Sequence, residues 1–186
     1  MTVCLFCASR TDVDDRYHSV AKEFGAGLAE RGDTLYYGGG GIGLMGTAAR
    51  TVHRNGGRVV GVIPARLRKP EVAYEDADEL IVTAGMSDRK EILIRESDAF
   101  VILPGGFGTL DELLDVITTK QLGYHSKPIA ILNTAGFFSR QLQMFDHIVS
   151  QRFAGPAQLR LYEVCSTVPE VFRHLDASAR QAAPSR

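Results

Sequence analysis

The stretch Pro104-Gly105-Gly106-Phe107-Gly108-Thr109-Leu110-Asp111-Glu112 brings bare glycine amides and a carboxylate within a few residues of one another. The apolar run Ala99–Leu103 before it predicts a strand buried on both faces, and Leu110, Leu113, Leu114 and Ile117 after it recur at helical spacing. Glycines at such a strand-to-helix junction offer backbone N–H groups to an anion at the helix N-terminus. A phosphate held there would be repelled by Glu112 unless that carboxylate is turned to something else, and a sugar attached to the phosphate is the natural candidate. A purely structural reading competes: Thr109-Leu110-Asp111-Glu112 also spells a T-x-x-E capping box.

Gly85-Met86-Ser87-Asp88-Arg89-Lys90 opens a second helix. Ser87 is the expected N-cap. That puts Arg89 and Lys90 in the first turn, where the helix dipole disfavours a cation by about 0.3–1 kcal/mol. Either both side chains lie outward in solvent, or an anionic ligand offsets the cost; an arginine fork suits a phosphate or a carboxylate partner. Gly41-Ile42-Gly43-Leu44-Met45-Gly46 matches G-x-G-x-x-G. It follows the second expected strand rather than the first, and the next strand ends Ile63-Pro64-Ala65-Arg66 with no acid to hold a dinucleotide ribose. Gly46-Thr47 also lacks the lysine of a phosphate-binding loop. The run predicts a tight strand–helix turn or the wall of a phosphate or sugar site.

These segments need a scaffold that delivers them to one place. Strand-like runs at Val3–Cys7, Thr34–Tyr37, Arg58–Ile63, Glu79–Thr83, Ala99–Leu103, Pro128–Leu132 and Tyr162–Cys165 alternate with helical periodicity, as at Tyr17, Val20, Ala21, Phe24 and Leu28. The alternation predicts one α/β domain over residues 1–176: a doubly wound, Rossmann-like, mainly parallel sheet of about six or seven strands with helices on both faces. Arg66–Asp78 is expected to be an ordered loop, and Ala177–Arg186 a frayed, disordered tail. Ligands of such sheets bind beyond the carboxyl ends of the strands. Ser9-Arg10, Gly38–Gly46, Gly85–Lys90 and Pro104–Glu112 all fall there. Ser9, Gly39, Gly43, Met86 and Gly105 are therefore expected to line the site with Arg89 and Glu112.

At 186 residues, 45% hydrophobic and 23% charged, the chain has the composition of an ordinary soluble globular protein. A net charge of −1 gives no electrostatic case for a nucleic-acid polymer or an anionic membrane. No apolar run approaches a membrane span, and Met1–Ser9 lacks the basic start of a signal peptide, so a cytoplasmic location is expected. Cys4-Leu5-Phe6-Cys7 spells C-x-x-C, but residues three apart on a strand point to opposite faces, which predicts two buried cysteines rather than a redox or zinc pair. The five histidines show no metal-binding spacing. Neither a metal nor a cofactor is expected.

The paired motifs resemble the lonely-guy family, the cytokinin riboside 5′-monophosphate phosphoribohydrolases, long labelled lysine decarboxylase-like. The family's P-G-G-x-G-T-x-x-E is complete at Pro104–Glu112, G-M-x-x-R-K stands at Gly85–Lys90, and Gly38–Gly46 looks like its G-G-G-x-x-G-L-M-G. The resemblance runs from Val3 to about Phe153. It implies that Arg89 and Glu112 are the catalytic pair and that Lys90, Gly106, Phe107, Gly108 and Thr109 bind the nucleotide, with Glu71 and Thr118 as further substrate contacts. Departures bear on substrate preference: Ser87 stands where many members have His, Thr119 where plant members often have Trp, and Arg10-Thr11-Asp12 replaces a run of small residues.

The implied reaction is hydrolysis of the N-glycosidic bond of AMP or an N6-modified AMP, with Arg89 holding Glu112 ionised. A nucleotide or molybdenum-cofactor carrier on the same scaffold is the alternative; it would need the glycine loop but not the Arg89/Glu112 pair. Decarboxylation would need pyridoxal phosphate on a lysine, and Lys90 is the one lysine expected near the site. Phe137, Phe138, Phe145 and Phe153 cluster around one helix, and with the family's habit this suggests a homodimer.

Overall fold

The computed structural model describes residues 1–182. Seven strands, β1 (Thr2–Phe6), β2 (Thr34–Tyr37), β3 (Val59–Pro64), β4 (Glu79–Thr83), β5 (Ala99–Ile102), β6 (Ile129–Leu132) and β7 (Glu163–Cys165), form one sheet in the order β4-β3-β2-β1-β5-β6-β7. Every pairing is parallel. The strands that read as unbroken apolar runs are the inner ones: β3, β5 and β6 are buried at every residue, whereas the edge strands β4 and β7 expose residues.

Helices α1 (Asp15–Glu30), α2 (Gly43–Arg54) and α6 (Val168–Ala182) pack on one face of the sheet, around Phe24, Leu28, Leu44, Val52, Val171 and Leu175. Helices α3 (Met86–Glu96), α4 (Phe107–Gln121) and α5 (Ser139–Ser150) cover the other through Leu93, Leu113, Val116 and Phe145. Cys4 belongs to the second core and Cys7 to the first, both buried, as the strand period requires. The winding runs outward from β1 through β2 and β3 to β4, then returns to β1's other side with β5. Such a reversal leaves a crevice between the loops after β1 and β5.

Two local expectations are corrected. The tail expected from Ala177 is helical to Ala182, anchored by Val171 and Leu175 in the core and by Phe172 stacked on Phe24; the expectation for residues 183–186 lies outside the described residues. Of the four phenylalanines read as one aromatic surface, Phe138 and Phe145 are core, and Phe137 and Phe153 are exposed. The loop Arg66–Asp78 is strapped to the glycine run: Gly41 donates to the Val72 carbonyl and Tyr74 to that of Gly39, while His53 of α2 bridges Tyr74 and Asp78. Among the described residues no helix is long and apolar enough to cross a membrane.

Candidate active site

The crevice holds a cavity of about 390 Å³, within the range that encloses a small ligand. Its lining comes from four strand ends: Ser9 and Arg10 after β1, Gly38, Gly40, Ile42 and Met45 after β2, Met86 and Arg89 from α3, and Gly106–Thr109 with Asp111 and Glu112 from α4. Ile63 and the strapped loop residues Leu67 and Val72 close the side.

Helix α4 begins at Phe107, with Gly106 as its N-cap and no side-chain capping bond. Its first backbone bond runs from Leu110 N–H to the Gly106 carbonyl, which leaves the N–H groups of Phe107, Gly108 and Thr109 without a backbone acceptor. Gly105 is needed here: a Cβ on it would come within 2.1 Å of Thr109 Oγ1. The N-terminus of α2 is different. Leu44 and Met45 N–H both donate to the Ala8 carbonyl, so these amides in the first turn of α2 are already used and the G-x-G-x-x-G run forms a wall. Gly39, Gly43 and Gly105, expected to line the cavity, are not part of its lining: Gly43, at φ +60°, lets that backbone press against Ser9, and Gly39, at φ +74°, lies on Ile63.

The helix start removes the capping-box explanation for Glu112. With Gly106 as cap, Thr109 is the third helical residue and Glu112 lies well past the first turn. Its carboxylate is buried and forms a 2.8 Å ion pair with Arg89 Nη1 across the gap between α3 and α4. Arg89 is buried too. Its Nε donates to the Val62 carbonyl of β3 at 3.1 Å, and Nη2 occupies the space a side chain at Gly38 would fill, 2.2 Å from that Cβ. The guanidinium is thus fixed by a strand, a glycine and a carboxylate.

Arg89 favours the ionised form of Glu112, as expected, but it does not set the net shift. Desolvation outweighs the guanidinium, so the Glu112 carboxyl titrates above the ordinary carboxylate value. Burial likewise pushes the Cys7 thiol of the cavity floor well up.

The cap of α3 is Gly85, not Ser87, because Gly85 is extended and Met86 already helical. Arg89 and Lys90 consequently lie one turn in, and protein carboxylates balance both. Lys90 reaches Asp111 at 3.3 Å and Asp115 at 3.2 Å, carboxylates one turn apart on α4. It lines a neighbouring depression with Ser87, Thr119 and His125 rather than the cavity. Glu71 is exposed on the strapped loop beside Val72 and is not part of the lining. Thr118 is exposed on another face of α4, in an apolar groove with Leu114, Ile117 and Phe145. Sequence reasoning missed Gly38's specific part and the apolar wall of Ile42, Met45, Ile63, Leu67 and Val72. The first was signalled only by the length of the glycine run. The wall comes from separate elements with no shared motif.

A family model described as possible lysine decarboxylase matches residues 45–175. A cytokinin riboside 5′-monophosphate phosphoribohydrolase of Arabidopsis thaliana, LOG7, is 40% identical over 94% of this chain and 80% of its own length. The enzyme of that name from Oryza sativa subsp. japonica, LOG, is 42% identical over 94% of this chain and 72% of its own. Among solved structures, the molybdenum cofactor binding protein of Rippkaea orientalis superposes with a TM-score of 0.71 over 96% of both chains at 18% identity, a likeness of fold. The molybdenum cofactor carrier protein of Chlamydomonas reinhardtii gives 0.69 over 97% and 96% at 23%. Matched by the family model over most of its length and by these plant enzymes along nearly all of it, the chain belongs to the lysine decarboxylase-like family that includes the cytokinin riboside 5′-monophosphate phosphoribohydrolases.

Proposed function

We propose that the protein hydrolyses the N-glycosidic bond of AMP or an N6-modified AMP, giving the free base and ribose 5-phosphate. One observation carries the reading: the buried Arg89–Glu112 pair faces the same cavity as the free amides of α4. The substrate class is that named for the plant relatives.

The amides of Phe107, Gly108 and Thr109 would take the 5′-phosphate at the positive end of α4. Glu112 lies about 4.5–7.5 Å further along the helix axis than these amides at 1.5 Å per residue, a separation a ribose 5-phosphate can span, so C1′ comes to the carboxylate. Binding energy at the phosphate then serves to orient the reacting bond. As the C1′–N bond breaks, its electron pair leaves with the base and C1′ gains oxocarbenium character. Glu112 stabilises that charge and removes a proton from the water whose oxygen bonds to C1′. The departing base gains one proton overall. Arg89 fixes the Glu112 carboxylate and closes the floor, and the wall of Ile42, Met45, Leu67 and Val72 suits the flat base.

The test is incubation with AMP and with its N6-isopentenyl analogue, followed by chromatography of the released base. Glu112→Gln is expected to lose about 10²–10⁴-fold in kcat; equal rates for the variant and the wild type would sink the assignment. A carrier would retain nucleotide tightly without releasing base. Lys90, Glu71 and Thr118 are assigned to substrate only through the family. We further propose a homodimer, on the strength of the exposed apolar residues Phe153, Met144, Leu122 and Leu114, in the cytoplasmic location expected from the sequence; a monomer mass by light scattering would rule the dimer out.

A further inference from the structure

We propose that Arg10, paired with Asp12, is a phosphate clamp that reads the charge of the nucleotide at the mouth of the site. The inference rests on the reading of the cavity as a nucleotide site, and it concerns a loop where this chain departs from the small residues usual in the family. Strands β1 and β5 pair with Phe6 opposite Ile102, and Ala8 N–H donates to the Pro104 carbonyl at 3.1 Å. Arg10 and Gly106–Thr109 line one cavity.

The backbone of Arg10 is packed against α2 while its side chain is exposed. A Cβ at Gly43 would come within 2.6 Å of the Arg10 carbonyl oxygen, so α2 packs directly behind it. The side chain is 76% exposed, and its guanidinium makes a two-point contact with Asp12, Nε to Oδ1 at 2.8 Å and Nη2 to Oδ2 at 2.6 Å. An ion pair this exposed contributes little, so it yields readily to a better partner. A phosphate on the α4 amides is one: it accepts the same two-point fork and carries more charge than a carboxylate. Asp12 then acts as a competitor, parking the cation near the mouth and repelling anions when Arg10 is absent. Adenosine, with no phosphate, has nothing to draw Arg10 away.

The two residues should therefore act with opposite sign. Arg10→Gln is expected to raise KM for AMP about tenfold with kcat within twofold, and to leave adenosine binding unchanged. Asp12→Asn is expected to lower KM for AMP severalfold. Titration calorimetry of AMP and adenosine into Glu112→Gln carrying either change gives the same comparison without turnover. Loss of AMP and adenosine affinity in equal measure, or no change in AMP affinity in Arg10→Gln, would overturn the clamp. The clamp and the hydrolase reading fail separately: AMP binding that depends on Arg10 in a protein that never releases base keeps the first and removes the second. Base release indifferent to Arg10→Gln does the reverse.

Discussion

At the scale of single residues, the site turns on one carboxylate whose burial outweighs its cationic partner. Because the folded pKa of Glu112 is raised, the acid limb of kcat/KM is expected to lie above the ordinary value of 4.5, with activity lost as pH falls through it. Removing the guanidinium takes away the attraction and leaves the desolvation, so Arg89→Gln should move that limb to still higher pH. A pH–rate profile of both proteins checks the direction; a limb that moves down rejects the pairing. The linkage has a fixed sign. A raised folded pKa contributes stability that is fully present below the unfolded pKa and is lost as pH rises through the folded one. The melting temperature of the wild type should therefore gain on that of Glu112→Gln as pH is lowered. A difference that is flat with pH would mean that Glu112 does not titrate with folding. The family resemblance implied the Arg89/Glu112 pair, but not the burial that raises the carboxyl's pKa, because burial is a property of the assembled fold. T-x-x-E described Glu112 as a cap, and a start of α4 only a few residues earlier than that pattern implies voids the description. The real partner, Arg89, lies on another helix.

At the scale of elements, glycines do two separate jobs that one motif spelling conceals. At Gly38 the neighbour of an added Cβ is the end of the Arg89 side chain, whereas at Gly43 it is the backbone of Ser9 at 2.5 Å, with φ at +60°. Gly38→Ala should keep its fold, melting within a few degrees of the wild type, while displacing the guanidinium; a shift of that kind near a reacting group costs about 10²-fold in rate. Gly43→Ala adds strain of about 1–3 kcal/mol to the clash, and should melt several degrees lower. Thermal melts beside rate measurements separate the two, and equal melting temperatures would contradict the assignment. The alternation of strands and helices and the end of the sheet that binds ligand were readable, because buried parallel strands must be apolar throughout and crossovers must be right-handed. Lys90 was not, because its engagement with Asp111 and Asp115 needs α3 and α4 side by side. The end of α6 was misread for a simpler reason. Ala177, Ala179 and Arg180 are good helix formers, and the expectation of a tail followed their small, polar character instead.

At the scale of the whole molecule, the cavity joins segments that the winding of the sheet delivers from opposite sides of β1. Arg89 hangs from β3 through the Val62 carbonyl, and Glu112 belongs to the helix after β5. A nucleotide held on the α4 amides and against the α2 and strapped-loop walls would tie the two halves together, so ligand binding should register as global stability rather than as local ordering. Binding to the folded state alone adds RT ln(1 + [L]/Kd), about 2.7 kcal/mol at a hundredfold excess over Kd. For a domain of this size that is a rise of roughly 5–10 °C in Tm. Glu112→Gln is the protein to use, since it keeps the α4 amides and should not consume the ligand. AMP should raise its Tm by that amount, ribose 5-phosphate by part of it, and adenosine by little, because the phosphate contributes the charge-assisted bonds and the base the apolar contact. Equal shifts from AMP and adenosine would place the binding energy at the apolar wall and remove the amides of Phe107, Gly108 and Thr109 as the anchor.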